Sequence, residues 1–356
     1  MFTVADARRC AVDLFMQSAI LKTQPRSSLT LDADVLLQHF LNKPRAWLFA
    51  HDDTDISPIR EAFCKAVERR CTGLPIAYIT GEKDFWGLPF HVSPDVLIPK
   101  PDTELLVERS LVIIREKAAA LRQDQTLFIL DPCTGSGCVA ISILHTLEAE
   151  GIRNICCIAA DISPAALAIV RLNAQRLLSA ETQTRLYIIE GDMRTLPETI
   201  ARLKKTPRLD TNRFPEAETG IFPGTVFSEE RCSFDEATGR VFSSTLFPTI
   251  LRFDLIAANP PYVPSALTQE LLKDGRNEPA LALDGGSDGL DFIRILTNNT
   301  RTVLNCNGVL LSEAGEYHAQ AASKLFETAG FSDVRIHQDL AGQDRLIEGV
   351  YDGRKS

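Results

Sequence analysis

Apolar residues recur at helical spacing from the start of the chain to about residue 80. Val4, Ala7, Ala11, Leu14 and Phe15 make one stripe, and Ala33, Val35, Leu36, Leu37 and Phe40 a second. Pro25 and Pro44 break the pattern, and Thr30 or Asp32 stands where a cap for the second helix is expected. The spacing predicts a third helix from Pro58 to Arg70, ending near Gly73. Residues 76–98 change character: Phe85, Trp86, Leu88, Phe90, Val92, Val96 and Ile98 sit among Gly81, Gly87, Pro89, Pro94 and Pro99. That mixture predicts a short hairpin, followed by a helix from about 101 to 122.

From residue 126 the pattern becomes strand, turn, helix, repeated. The expected strands are Leu127 to Leu130, Ile155 to Ala160, Leu186 to Ile189, Phe253 to Ala258 and Val309 to Leu311. Helices are expected up to about 150 and from Pro164 to Leu178. The last 40 residues read as a helix (Glu316 to Ala329) and two strands, around Val334 and Ile347. Strands alternating with helices predict an α/β fold with a parallel, doubly wound sheet. Ligands in such sheets bind beyond the carboxyl ends of the strands. Residues 197–250 do not fit. Pro197, Pro207, Pro215, Pro223 and Pro248, with charges of both signs, predict a partly disordered insertion. Its phenylalanines (214, 222, 227, 234, 242 and 247) leave a role as a lid open beside that of a neutral surface loop.

With 356 residues the chain fits one large domain and a smaller one, and its core needs no disulfide or metal. The net charge of -9 lowers the expectation of stable nucleic-acid binding and suits a basic protein partner. Nine cysteines are scattered without zinc-ligand spacing, which predicts free thiols in a reducing cytoplasm and no metal. Asp6, Arg8, Arg9 and Asp13 make the first helix amphipathic, not a signal peptide, and no apolar run is long enough to span a membrane. No heptad or long apolar stripe is evident, so a monomer is expected.

Three places carry chemistry. The first is Asp131-Pro132-Cys133-Thr134-Gly135-Ser136-Gly137, a glycine turn between a strand and a helix, where backbone can approach a ligand closely. The second is Asp161 at the end of the next strand. Its carboxylate can accept both hydroxyls of a ribose, while Ser163 is better placed than Asp161 to cap the helix. Asp192 is a similar candidate for an adenine end, with Met193 against the ring. The third is Asn259-Pro260-Pro261-Tyr262. Two prolines end the strand and turn the backbone out at the sheet edge. There the Asn259 side-chain oxygen and the Pro260 carbonyl can hold the two N–H groups of an amide or amine, favouring the positive charge that grows as its nitrogen attacks a methyl group. Tyr262 offers a flat face to it.

With these motifs the chain resembles the bacterial release-factor glutamine methyltransferases (the HemK/PrmC family). The resemblance rests on Pro75-Ile-Ala-Tyr-Ile-Thr-Gly81, Phe85-Trp-Gly-Leu-Pro-Phe90, Leu97-Ile-Pro-Lys-Pro-Asp-Thr-Glu104 and Asn259-Pro-Pro-Tyr262. Glu278-Pro279-Ala-Leu281, Gly286-Ser-Asp-Gly289 and Gly342-Gln-Asp-Arg345 extend it over nearly the whole chain outside 197–250. It implies a Rossmann-like class I S-adenosylmethionine-dependent methyltransferase with a seven-stranded sheet over 101–356, a hairpin linker at 81–100 and a five-helix substrate-binding bundle over 1–80. The implied reaction is methyl transfer to the glutamine of the Gly-Gly-Gln motif in peptide chain release factors. Cys133, Thr134, Gly135, Ser136 and Gly137 would line the methionine and ribose of S-adenosyl-L-methionine. Asp161 would take the ribose hydroxyls, and Met193 would lie by the adenine. Asn259, Pro260, Pro261 and Tyr262 would bind the glutamine amide, with Asn259 also near the cofactor. Phe85 and Trp86 would wall the crevice, and the helical bundle would grip another part of the release factor.

Three departures stand out. Cys133 replaces the family's usual glycine and follows Pro132, and Lys100 replaces an arginine, losing bidentate contact. The insertion is the third. A sister family acting on a ribosomal protein usually has Arg-Ser-Pro in the linker, where this chain has Lys100-Pro101-Asp102-Thr103-Glu104. Adenine N6-methyltransferases share Asn-Pro-Pro-Tyr but would bring a basic face or a target-recognition domain. A catalytically degenerate binding module is the alternative that Pro132 and Cys133 keep open.

Overall fold

The computed structural model describes residues 1–122, 125–203 and 251–353. The amino-terminal stretch folds as α1 (Val4–Gln17), α2 (Arg26–Leu41), α3 (Arg45–Ala50), α4 (Arg60–Cys71) and α5 (Ile76–Thr80). Thr3 and Asp6 form a capping box at the start of α1. Prolines open helices here as well as breaking the pattern: Pro25, Pro44 and Pro75 hold the N-cap positions of α2, α3 and α5. So α2 begins before the expected caps. Thr30 Oγ1 donates back to the Arg26 carbonyl (2.8 Å) inside the helix, and Asp32 accepts from Arg70 Nε (2.8 Å). Helices α3 and α5 are too short to show periodicity, and the pattern misses them.

The hairpin consists of β1 (Glu82–Phe85) and β2 (Leu88–His91). Its turn residues Trp86 and Gly87 both have positive φ (55° and 71°), the backbone that suits the twist of a tight hairpin. A 3-10 turn at Pro101–Thr103 then leads into α6 (Glu104–Ala119).

The rest of the chain alternates as expected: β3 (Leu127–Asp131), α7 (Cys138–Ala149), β4 (Ile155–Asp161), α8 (Pro164–Leu177), α9 (Ala180–Gln183), β5 (Leu186–Glu190) and α10 (Leu196–Leu203). It continues with β6 (Phe253–Ala258), α11 (Ser265–Leu271), α12 (Asp291–Thr300), β7 (Leu304–Glu313), α13 (Ala319–Thr328), β8 (Ser332–Gln338) and β9 (Asp344–Tyr351). Two expectations are corrected. Residues 197–203 are not irregular, because Leu196, Ile200 and Leu203 form a buried helical face. The remainder of the predicted insertion, 204–250 with its phenylalanines, lies outside the described residues. Strand β7 is longer than Val309–Leu311. Its first half is hidden in the sequence by Asn305-Cys306-Asn307-Gly308, which reads as a turn, and the pairing with β6 shifts register there.

The sheet order is β5-β4-β3-β6-β7-β9-β8. Strands β3 to β7 run parallel, and β9 is antiparallel to both its neighbours. Side chains alternate between two apolar layers. Leu255 and Ala257 cluster with α6, α7 and α8 residues such as Leu106, Val139 and Val170, while Ile256 between them clusters with Ile200, Ile293 and Phe326. Strand order reverses between β3 and β6, which places a ligand crevice at their carboxyl ends.

The chain divides into two compact units, and the division is not linear. One comprises Met1–Lys83, Val92–Ile98 and Ala266–Ala280, and the other holds the sheet. The helical unit has its own apolar core, including Phe15, Leu29, Leu36, Leu37 and Phe63. Asp34, fully buried, is held by Arg8 Nε (2.6 Å) and Arg45 Nε (3.0 Å). Within this unit Gly73 (φ +95°) meets the 266–280 segment so closely that a Cβ would lie 2.0 Å from the Asp274 carbonyl oxygen. Substituting Gly73→Ala should therefore cost roughly 2–4 kcal/mol, combining backbone strain with overpacking. Denaturant unfolding should show the loss, and limited proteolysis should find new cleavage within 266–280. An unchanged midpoint and digestion pattern would refute the close approach.

Candidate active site

The five parallel strands bring the predicted residues to one sheet edge. Asp131 closes β3, Asp161 closes β4, Asp192 and Met193 follow β5, and Asn259 follows β6. Asp131 is buried and accepts from Thr134 Oγ1 (2.8 Å), while Thr134 N donates to the Ala160 carbonyl (3.0 Å). Burial pushes the Asp131 carboxyl up to about 7, against the pull of Thr134 and with a further push from Asp161. Gly135 (φ +54°) would point a Cβ into open space. Its N–H donates to Asp161 Oδ2 (2.9 Å), and Ser163 N donates to Oδ1 (3.0 Å). Burial raises the Asp161 pKa, opposed by these backbone donors. Ser163 caps α8 through Ala166 N (3.2 Å), as expected, so Asp161 is not spent on that task. Gly137 lies where a Cβ would be 2.9 Å from both Ile141 Cδ1 and Val170 Cγ1, so glycine lets α7 and α8 close behind the loop. The Ser136 carbonyl accepts from Asn173 Nδ2 (2.9 Å). Asn173, fully buried on α8, also exchanges hydrogen bonds with both backbone groups of His91.

Asp192 caps the 3-10 turn Met193–Thr195, and Arg194 engages its carboxylate through Nε (2.8 Å) and Nη2 (2.7 Å). Met193 is buried with Ala258 and Leu296, and its Sδ lies 3.8 Å from Cys133 Sγ. The Cys133 side chain thus turns to a sulfur neighbour, and burial raises its thiol pKa far above the usual range.

Asn259 Nδ2 donates to Thr103 Oγ1 (2.9 Å), and Thr103 Oγ1 donates to Glu313 Oε2 (2.8 Å). Tyr262 Oη donates to the other Glu313 oxygen (2.8 Å). Among the described residues no protein group donates to Asn259 Oδ1. Glu313 closes β7, and burial raises it to about 7 despite the two hydroxyl donors; Asp102 adds to the rise and Arg345 opposes it. Burial and Glu313 raise the Tyr262 pKa well above its usual value. Pro261 and Tyr262 are braced from behind. A Cβ on Gly285 would lie 2.7 Å from Tyr262 Cα, and one on Gly289 would lie 2.5 Å from the Tyr262 carbonyl oxygen.

Phe85 and Trp86 have packing partners in the hairpin and on α7. Phe85 is buried edge-to-face against Phe90, and Trp86 Nε1 donates to Thr146 Oγ1 (2.9 Å), near the far end of α7 from the glycine loop. Their rings serve packing, a role that apolar hairpin residues fill as readily as a binding one. Thr103, Glu313 and Asn173 were missed by the sequence reading. Glu313 had a signal: it closes an apolar run as Asp131 and Asp161 close theirs. Asn173, inside a helical stripe, had none.

A doubly wound sheet with a reversed β9, a glycine turn after β3 and Asn-Pro-Pro-Tyr after β6 define a Rossmann-like class I methyltransferase. Residues 16–81 match the PrmC N-terminal domain. A release factor glutamine methyltransferase of Moorella thermoacetica is 32% identical over 319 residues, covering 89% of this chain and 89% of its own. One from Vibrio cholerae is 31% identical over 350 residues, covering 98% and 97%, and one from Haemophilus influenzae is 31% identical over 332 residues, covering 93% and 94%. The chain belongs to the release factor glutamine methyltransferase family.

The raised carboxyls make stability depend on pH in a definite direction. Asp131 holds its proton more tightly in the fold, at about 7, than in the unfolded chain near 3.8. Its contribution is full below the unfolded value and is lost as pH rises toward 7; Glu313 acts with the same sign. The urea midpoint should fall between about pH 5 and about pH 8, and fall less in Asp131→Asn. An equal slope in both proteins would contradict the Asp131 assignment.

Proposed function

We propose that this protein transfers a methyl group from S-adenosylmethionine to the side-chain amide nitrogen of the glutamine in the Gly-Gly-Gln motif of peptide chain release factors. The observation that carries the reading is Asn259: it stands at the carboxyl end of β6, beside the strand-order reversal, with Nδ2 committed to Thr103 and Oδ1 left for a substrate.

The residues present fit the cofactor. Gly135 faces open space beside a carboxylate, Asp161, fixed by two backbone donors at the end of β4. Asp161 would take the ribose hydroxyls, with the 133–137 loop along the methionine and Asp192 and Met193 at the adenine end. Bound there, S-adenosylmethionine supplies an electrophilic methyl group on a sulfonium. The protein's part is alignment and charge. An amide nitrogen is a weak nucleophile, and Asn259 Oδ1 and the Pro260 carbonyl accept its two N–H groups as positive charge grows on it. Tyr262, fixed by Glu313, offers its ring to the planar amide. After transfer the nitrogen is acidic and releases its proton to water. We assign the helical unit to gripping the release factor elsewhere. Leu14, Met16, Leu31 and Phe49 are exposed on it, apolar side chains available to a protein partner.

The test mixes the protein, labelled S-adenosylmethionine and a release factor, beside a copy with its Gly-Gly-Gln glutamine changed to alanine. Label should appear on that glutamine alone, as mapped by mass spectrometry; label elsewhere or none would refute the reading. Asn259→Ala should lower turnover about a hundredfold or more while cofactor affinity changes little. Asp161→Ala should do the reverse, weakening S-adenosylmethionine at least about tenfold by calorimetry, as loss of a charged hydrogen-bond acceptor does.

A further inference from the structure

The hydrogen-bond chain beneath Asn259 has a direction, and one residue sets it. Above about pH 7 Glu313 is ionised, and an ionised carboxylate only accepts. Glu313 is 1% exposed and has a hydroxyl on each oxygen, from Thr103 and from Tyr262. Because Thr103 spends its one proton on Glu313, it can only accept from Asn259. An asparagine amide facing an acceptor must present Nδ2, which sends Oδ1 the other way. The same carboxyl group ties Tyr262 to the chain, so both side chains assigned to the glutamine amide rest on one buried residue.

We propose that Thr103 and Glu313 are positioning residues for the transfer: they hold Asn259 with Nδ2 turned inward and Oδ1 turned to the substrate nitrogen, and they fix the Tyr262 ring beside it. This rests on the glutamine-methylation reading and deepens it. The Thr103 hydroxyl makes both links, and valine keeps its shape while removing both hydrogen bonds. Its placement is itself fixed from both sides. Asp102 pairs with Arg345 Nη2 (3.4 Å), and Glu104 Oε1 accepts from Trp86 N (2.9 Å).

The test uses the full chain with Thr103→Val, Thr103→Ser, Glu313→Gln and Thr103→Val combined with Glu313→Gln. Thr103→Val should lower kcat roughly 10- to 100-fold with S-adenosylmethionine affinity unchanged, the scale of a misplaced reacting group. Thr103→Ser, which restores the hydroxyl, should recover most of the rate. Glu313→Gln should also lower kcat, and the double variant should be no slower than Glu313→Gln alone, which already disturbs both the Thr103 and the Tyr262 contacts. A second readout needs no turnover. The Asn259 side-chain N–H protons, assigned by NMR through their loss in Asn259→Asp, should exchange slowly in the parent and in Thr103→Ser, and quickly in Thr103→Val. Normal kcat in Thr103→Val, failure of serine to rescue, or unchanged exchange would overturn the proposal. If the parent protein methylates no release factor, the functional reading fails, and the exchange experiment still decides the positioning.

Discussion

Everything at the site depends on β3 lying parallel to β6, with Ile129 opposite Leu255 and Leu130 opposite Ile256. This pairing is where the sheet reverses its order. It sets the glycine loop and the Asn-Pro-Pro-Tyr turn side by side, although about 120 residues separate them in sequence. Both strands are buried on both faces, so register is held by two apolar layers at once. A slip of one residue would exchange those layers and turn the loop residues away from each other.

Much of this was legible in the sequence because each strand is a short apolar run closed by a polar residue. Strand β6 has the expected bounds, and Asp131, Asp161 and Asn259 lie where the runs end. What escaped had physical reasons. Helices α3 and α5 have six and five residues, less than periodicity can register. The first half of β7 is polar because it is partly exposed beside a register shift. The resemblance implies a crevice role for Phe85 and Trp86, and their contacts with Phe90 and Thr146 are packing contacts that no sequence pattern announces.

The Pro-Asp-Thr-Glu run shows how a motif can be plain in sequence and its purpose opaque. Its three polar side chains diverge to four partners: Asp102 to Arg345 on β9, Thr103 to Asn259 and Glu313, and Glu104 to the backbone of the hairpin turn. No spacing rule predicts such contacts, since their partners lie up to 243 positions away. Burial makes charge at Glu313 costly, and two hydroxyl donors offset only part of that cost, which leaves the carboxyl raised to about 7. Such a group is kept where direction, not net stability, is what it contributes.

The non-linear division of the chain has a consequence for synthesis. The helical unit includes Ala266–Ala280, so it lacks a part until residue 280 has left the ribosome. By then β3 to β6 have already emerged. The apolar core of the amino-terminal helices lies between Phe2 and Ile79, but Gly73 is without its neighbour at Asp274 while most of the parallel sheet is being made. Vectorial synthesis thus leaves the last contacts of the amino-terminal unit to be made after strands that precede them in no other sense than chain order.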